Sequence, residues 1–274
     1  MPFNKGTSVL RVHRLENELK RSKSQKRTMV REKFIPSDLL CPRKSILMTQ
    51  VSGKVTDENS FTSSLYMGVG DGIHKAVVEH LNVLGILIAS EYKIANDLVG
   101  PPKLKPLSGY IDAIIRFKDT DKLVLVEIKS CGVLPSEPKD GHVNQAALYL
   151  LLTGIKEGLI YYVSRSVGSP EVLQRSFLVY ESQISDVAYS VALAHVCSNK
   201  GYLPPILPTL DKKNCTYCQF SKFCYGNSKV NQFPDLLPFD EEKLEKEIRS
   251  FAKILIERRE QCLNELTEKL VIRD

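Results

Sequence analysis

The chain has 274 residues, of which 43% are hydrophobic and 26% are charged. This length and composition are typical of a globular protein with a substantial core, and they exclude a disordered chain. No apolar run approaches the roughly 18 residues of a membrane span, so we expect no membrane association. The first residues lack the apolar stretch of a secretory signal, and we expect an intracellular, cytoplasmic protein.

The formal net charge of +6 is concentrated near the N-terminus. Residues 11–33 contain nine Lys or Arg and three Glu, which also gives +6, so the rest of the chain is near neutral. Residues 1–33 are therefore predicted to form a basic N-terminal arm. Such an arm could follow a polyanion, and a solvated tail is an equally consistent interpretation.

Hydrophobic periodicity predicts a mixture of helices and strands after the arm. Helices are predicted over residues 65–85, 142–154, 181–199 and 240–270, and strands over 91–95, 109–117, 123–130, 158–165 and 173–180. The first of these helices has an apolar stripe of Val69, Ile73, Val77, Leu81 and Leu84. The last is amphipathic, and its stripe is predicted to pack on the protein's own body: Leu244, Ile248, Phe251, Leu255, Cys262, Leu266 and Leu270.

Asp112, Glu127 and Lys129 stand on two consecutive predicted strands that are joined by a short turn. Two carboxylates held close together repel each other unless a cation lies between them. Their oxygen atoms suit Mg²⁺ or Mn²⁺, and the Lys129 ammonium beside them could orient a water molecule or offset developing charge. The pattern predicts a divalent-metal site at the ends of these strands.

The seven cysteines of an intracellular chain need an explanation other than disulfides. Cys215, Cys218 and Cys224 form a C-x2-C-x5-C cluster, and Cys41 lies far upstream. Four thiolates bind either zinc or an iron–sulfur cluster, and the spacing alone leaves both open. Either centre would connect the two ends of the folded region and act as a structural staple. The other three cysteines are predicted to be small buried residues: Cys131, Cys197 and Cys262.

Four further residues stand at positions that suit the same site. His74 lies on the helix before the sheet, although alone it would be interpreted as a hydrogen-bonded core histidine. Gln145 and Tyr149 are four residues apart and share one face of the helix after Lys129, although alone such a pair would indicate packing. Gly109 allows a tight start to the strand that carries Asp112.

Together these motifs resemble the PD-(D/E)xK nucleases of the RecB type and, within them, the CRISPR-associated Cas-four exonucleases. The matching elements, in the family's order, are G-x3-H (Gly70 to His74), G-x2-D (Gly109 to Asp112), E-x-K (Glu127 to Lys129), Q-x3-Y (Gln145 to Tyr149) and the four cysteines. The resemblance covers residues 34–228, including the cluster region of Cys41 and 215–224. The arm of residues 1–33 and the C-terminal amphipathic helix of residues 229–274 lie outside it.

The resemblance implies an α/β fold with a mixed central β-sheet flanked by helices, and a cluster subdomain that joins the N- and C-terminal parts. It implies a [4Fe–4S] cluster on Cys41, Cys215, Cys218 and Cys224. We expect Mn²⁺ or Mg²⁺ to be held by His74, Asp112, Glu127 and the backbone carbonyl of Ile128. Lys129 would complete the catalytic set, and Gln145 and Tyr149 would position the substrate.

The implied activity is metal-dependent exonuclease cleavage of DNA, typically of single strands from the 5′ end, in CRISPR spacer acquisition or in viral or host DNA processing. The implied partners are single-stranded DNA and CRISPR integrase proteins, and a homo-oligomer is also compatible with the sequence, which does not determine the oligomeric state. Two other interpretations stay open. One is a non-catalytic iron–sulfur adaptor that binds DNA, and the other is a structure-specific endonuclease of a replication or recombination system.

Overall fold

A computed structural model of the chain describes residues 34–39, 41–50, 61–95, 107–166, 174–204, 215, 218, 220 and 241–271. The predicted basic arm and Cys224 lie outside these described residues. The helices are α1 (Pro42–Gln50), α2 (Phe61–Val83), α3 (Asp140–Thr153), α4 (Ile184–Lys200), α5 (Glu241–Glu257) and α6 (Arg259–Val271). The strands are β1 (Leu87–Ala95), β2 (Ser108–Arg116), β3 (Leu123–Cys131), β4 (Glu157–Ser164) and β5 (Gln174–Tyr180). Short 3-10 turns occupy Pro36–Asp38 and Glu181–Gln183.

The five strands form one mixed sheet in the order β1-β2-β3-β4-β5. All neighbouring strands are antiparallel except β3 and β4, which are parallel. A parallel pair needs a crossover connection, and α3 supplies it between these two strands. The prediction of a mixed sheet flanked by helices is therefore confirmed.

The two faces of the sheet are covered by different helices. On one face, α2 packs against alternate residues of β3, including Val126 and Ile128. On the other face, Leu125 of β3 joins the larger core with side chains of α3, α4, α5 and α6. Successive side chains of a strand point to opposite faces, so residues two apart share a face. Glu127 is two residues after Leu125 and therefore lies on the α3 side of the sheet. The helix α3 is thus placed to contact the polar end of β3.

Helix α2 turns only part of the predicted stripe, Val77 and Leu81, to the sheet. Val69 and Leu84, which belong to the predicted stripe, are 43% and 50% exposed. Val78 packs on the sheet beside Val77 and Leu81. The C-terminal turns of α2 cover the strands, whereas Val69 lies before these turns and Leu84 lies beyond the helix end. The two ends of the predicted stripe therefore stay in solvent.

The C-terminal segment forms two helices where the sequence predicts one, with a break at Arg258. Their apolar side chains complete the main core, and His195 of α4 stacks on Phe251 of α5 with ring centroids 4.7 Å apart. The buried members of the predicted stripe are Ile248, Phe251, Leu255, Leu266 and Leu270. The stripe packs on the protein's own body, as predicted. None of the helices in the described part of the chain has the length and apolarity needed to cross a membrane.

Candidate active site

Asp112 lies where β2 and β3 stop pairing through their backbones. The paired register ends at Ala113 opposite Val126. One position further, Asp112 Oδ2 accepts a hydrogen bond of 2.7 Å from the backbone N–H of Ile128. The carboxylate thus replaces a backbone partner and fixes its own orientation. It also holds the two strands together at the point where they diverge.

His74 reaches the same place from α2. Its Nδ1 lies 3.5 Å from Asp112 Oδ1, and both side chains are partly accessible, at 35% and 18%. The hydrogen bond with Asp112 raises the pKa of His74, while burial opposes that effect. A Cβ atom on Gly70, one turn earlier, would lie 3.2 Å from Ser130 Oγ. The small residue therefore allows α2 to approach β3 closely enough for His74 to meet Asp112.

Glu127 is the most deeply buried charged group of the site, at 2% exposure. Its Oε1 accepts a hydrogen bond of 2.6 Å from Lys129 Nζ, whereas its buried Oε2 has no hydrogen-bond partner among the described residues. Burial raises the pKa of Glu127 to about 7, the charge of Asp112 adds to the increase, and Lys129 opposes it. A buried carboxylate oxygen without a partner is costly. A bound cation would satisfy it.

Gln145 and Tyr149 of α3 continue the same network. Lys129 Nζ also donates to Gln145 Oε1 at 3.1 Å, and Gln145 Nε2 donates to the Tyr149 hydroxyl at 3.3 Å. Burial raises the pKa of Tyr149, which keeps its hydroxyl protonated. A Cβ atom on Gly109 would lie 2.6 Å from Pro36 Cγ and 3.2 Å from the Tyr149 hydroxyl. The glycine of the G-x2-D motif is thus required by close packing.

The structure brings the predicted side chains into one connected network. Its members are His74, Asp112, Glu127, Lys129, Gln145 and Tyr149, with Ile128 as a backbone donor. Among the described residues, no group of three or more His, Cys, Asp or Glu side chains has the geometry to hold a metal ion as it stands. One oxygen of Glu127 is held by Lys129, and one oxygen of Asp112 is held by Ile128. Nevertheless, the unpartnered Glu127 Oε2 beside an imidazole–carboxylate pair is a donor set that fits Mn²⁺ or Mg²⁺.

The cysteine region is described at Cys41, Cys215 and Cys218. Cys41 directly precedes α1, and its Sγ accepts a hydrogen bond of 3.4 Å from the backbone N–H of Lys44. The backbone N–H of Cys218 donates to the Cys215 carbonyl at 3.1 Å. Cys218 borders a small apolar cluster formed by Leu47, Met48 and Phe220. Cys218 and Phe220 are therefore packed against α1, the helix that follows Cys41.

One polar residue near the site was not identified from the sequence. His142 lies in the first turn of α3, three residues before Gln145. The charge of Lys129 contributes to lowering the pKa of His142, although burial is the largest cause. The only sequence signal is the spacing of three, which places His142 and Gln145 on one helical face.

No protein-family profile matches the chain, and no curated protein sequence matches it significantly. Similar solved structures include the crystal structure of SSO0001, at 19% identity and a TM-score of 0.46 over 80% of this chain and 96% of that chain. An alkaline exonuclease from Laribacter hongkongensis is 11% identical, with a TM-score of 0.37 over 67% of this chain and 93% of that chain. The same exonuclease in complex with dAMP is 13% identical, with a TM-score of 0.36 over 62% of this chain and 89% of that chain. At these TM-scores the likenesses do not decide the function, which has to be inferred from the side chains of the site.

Proposed function

We propose that this protein is a metal-dependent nuclease that hydrolyses phosphodiester bonds of DNA. The observation that supports this most directly is Glu127, which is 2% exposed and keeps an unpartnered oxygen next to Asp112 and Lys129. Burying one of two mutually repelling carboxylates destabilises a fold that has no cation to bind. A non-catalytic adaptor would gain nothing from this arrangement, so the catalytic interpretation is favoured.

His74, Asp112, Glu127 and the Ile128 carbonyl would hold the divalent ion. When bound, that ion would stabilise charge on a phosphate oxygen and make a water molecule more acidic. Asp112 is already oriented for this role by the Ile128 N–H. His74 is held against Asp112 and would bind as the neutral imidazole.

Lys129 supplies a fixed positive charge to the reaction. Its Nζ is held between Glu127 Oε1 and Gln145 Oε1, at 2.6 and 3.1 Å, so its position is set before substrate binds. A preorganised ammonium stabilises the negative charge that accumulates on the phosphate oxygens in the transition state. Gln145 holds this ammonium in place, and the protonated Tyr149 hydroxyl in turn accepts from Gln145. We assign both residues of α3 to substrate positioning.

We further propose that the substrate is single-stranded DNA, cleaved as an exonuclease from the 5′ end, in the manner of the Cas-four type. The support is the ordered set of sequence motifs together with the network that connects their side chains. CRISPR integrase proteins and a second copy of the chain are the partners that this assignment implies.

We also propose that Cys41, Cys215, Cys218 and Cys224 bind a [4Fe–4S] cluster. The donor chemistry fits, because thiolates are the usual ligands of such clusters. The packing of Cys218 near α1 supports a common position for the upstream and downstream cysteines. The cluster would act as a structural staple rather than as a redox centre.

A nuclease assay with defined substrates tests the proposal. The purified protein should degrade linear, 5′-labelled single-stranded DNA when Mn²⁺ or Mg²⁺ is added, and it should spare a circular single strand. The Glu127→Ala variant should lose at least two to three orders of magnitude in rate, since Glu127 would act chiefly in the transition state. The matched control is Glu157→Ala, a partly exposed carboxylate paired with Lys122. Normal cleavage by the Glu127→Ala variant would refute the assignment, and cleavage of circles would exclude a need for an end.

A further inference from the structure

His142 occupies a position on α3 that the proposed catalytic network does not use. It precedes Gln145 by three residues and Tyr149 by seven, so the three side chains follow one face of the helix. Gln145 contacts Lys129 directly. His142 therefore extends the site by one helical turn toward the N-terminal end of α3.

The ring of His142 is fixed by Tyr162 of β4. His142 Nδ1 lies 2.7 Å from the Tyr162 hydroxyl, and the two ring centroids are 5.5 Å apart. The same hydroxyl accepts a hydrogen bond of 3.1 Å from the backbone N–H of Lys139. Tyr162 is fully buried, and its position is set by the sheet. The hydroxyl proton of this buried tyrosine also needs an acceptor, so we assign Tyr162 as the donor and His142 Nδ1 as the acceptor of their hydrogen bond.

This hydrogen bond determines the tautomer of His142. An imidazole whose Nδ1 accepts a proton donor carries its own hydrogen on Nε2. Burial, together with the charges of Lys129 and Lys139, lowers the pKa of His142 to about 4, so the ring is neutral at physiological pH. The hydrogen bond to Tyr162 engages Nδ1 alone, and Nε2 has no hydrogen-bond partner among the described residues. Nε2 does not belong to the fully buried, unpartnered polar atoms of the described chain, so it is at least partly accessible.

We propose that His142 is a further substrate-positioning residue, whose Nε2–H donates to a nonbridging oxygen of the phosphate next to the scissile one. This inference rests on the proposed nuclease function. The setting favours an anionic acceptor, because the charged groups of the described chain that influence the ring are two lysine ammonium groups, Lys129 and Lys139. A phosphate there would also compensate these two positive charges. Because the donor is neutral and held by a buried tyrosine, it would keep its orientation while successive nucleotides pass.

A purely structural role for His142 is the alternative, in which the ring only satisfies the buried Tyr162 hydroxyl. The two roles differ in the nitrogen that matters. The structural role needs Nδ1 alone, whereas the positioning role needs Nε2–H. Replacement by Phe keeps the ring volume and removes both nitrogens, and replacement by Gln supplies an amide N–H near the position of Nε2.

The experiment measures binding and turnover of labelled single-stranded DNA by the full-length protein. Affinity is measured by fluorescence anisotropy in the non-cleaving Glu127→Gln background, and KM and kcat are measured with Mn²⁺ in the otherwise wild-type protein. We expect His142→Phe to weaken DNA binding and raise KM by about tenfold, with kcat changed less than about threefold, since one hydrogen bond to a charged group is lost. His142→Gln should restore most of the affinity.

The matched control is His80→Phe, which alters an exposed histidine of α2 on a different side of that helix from His74. It should leave affinity and KM unchanged, and thermal melting of each variant reports its folding. The proposal is overturned if His142→Phe, folded as judged by its melting curve, binds DNA like the control. It is also overturned if His142→Gln is as defective as His142→Phe. If the Glu127→Ala variant cleaves normally, the proposed function fails, while the affinity measurement still decides the His142 contact.

Discussion

Replacing Glu127 by Gln should stabilise the metal-free protein while abolishing its activity. The carboxyl group has an ordinary pKa of 4.5 and a pKa of about 7 in the fold, chiefly because of burial and the nearby Asp112. Each unit of difference corresponds to about 1.4 kcal/mol between the two protonation states. Ionised Glu127 therefore costs the folded protein about 3 kcal/mol at pH values well above 7. The isosteric amide carries no charge, and its oxygen can still accept from Lys129.

The sign of the pH dependence follows from the direction of the pKa change. Below pH 4.5 the carboxyl is protonated in both states, and its charge costs nothing. Between pH 4.5 and about 7 the unfolded chain ionises first, so folding takes up a proton and the free energy of unfolding decreases as the pH rises. Above pH 7 the full cost is present. The gain from Glu127→Gln should thus be small at pH 5 and large at pH 8.

Urea and thermal denaturation in the presence of a chelator of divalent ions provide the assay. For a chain of this size, 1 kcal/mol shifts Tm by about 2–4 °C, so we expect an increase of about 6–12 °C at pH 8. The control is Glu157→Gln, because Glu157 forms a partly exposed pair with Lys122, and such pairs contribute about 0–1 kcal/mol. Added Mn²⁺ should stabilise the wild type at pH 8 and leave the Glu127→Gln variant unchanged. Equal effects of the substitution at pH 5 and pH 8 would refute the reasoning.

Three further predictions concern neighbouring parts of the structure. Both Asp112→Asn and Asp112→Ala should lose cleavage. Only Asp112→Ala should lose about 1–3 kcal/mol of unfolding free energy in urea denaturation, because it leaves the Ile128 N–H without an acceptor. Equal stabilities of the two variants would contradict this. Gly154→Ala should lower Tm by several degrees in a melt followed by circular dichroism, since Gly154 has a φ of 75° and a Cβ would collide with the Arg259 carbonyl. Cys41→Ser should lose bound iron, measured colorimetrically, and melt earlier while keeping residual cleavage; an iron-free protein of unchanged Tm would exclude the staple.

The strands and the order of the motifs could be predicted because they depend on local sequence. Charged residues at the end of two apolar runs were sufficient to place Asp112 and Glu127 beside each other. The sequence also predicted that Gln145 and Tyr149 share one helical face beside the site, whereas the hydrogen bond between Lys129 and Gln145 became visible only in the structure. Short loops between neighbouring elements determine where these residues lie, so their positions do not depend on how the rest of the core packs.

Other features depend on packing between distant segments and could not be predicted. Only part of the predicted α2 stripe is buried, because the C-terminal turns of the helix pack on the sheet and leave Val69 exposed. The break at Arg258 has no proline or glycine to signal it, and it arises where α6 docks on the end of α3. His142 was missed because its environment depends on Tyr162, which lies on a strand 20 residues later.

The contact between α3 and α6 has a consequence for the C-terminal segment. Gly154 ends α3 directly under the first turn of α6, and Arg259 donates to the Ile155 carbonyl at 3.1 Å while pairing with Glu181 at 2.7 Å. The Arg259 guanidinium therefore connects the residue just before β4 with the residue just after β5. A truncation, fusion or bound ligand that displaces α6 would break these Arg259 contacts. It would also remove the packing of α6 on the C-terminal end of α3, the helix that carries Gln145. Helix α6 is therefore coupled through Arg259 and the end of α3 to the candidate site, although no contact among the described residues joins α6 to that site directly.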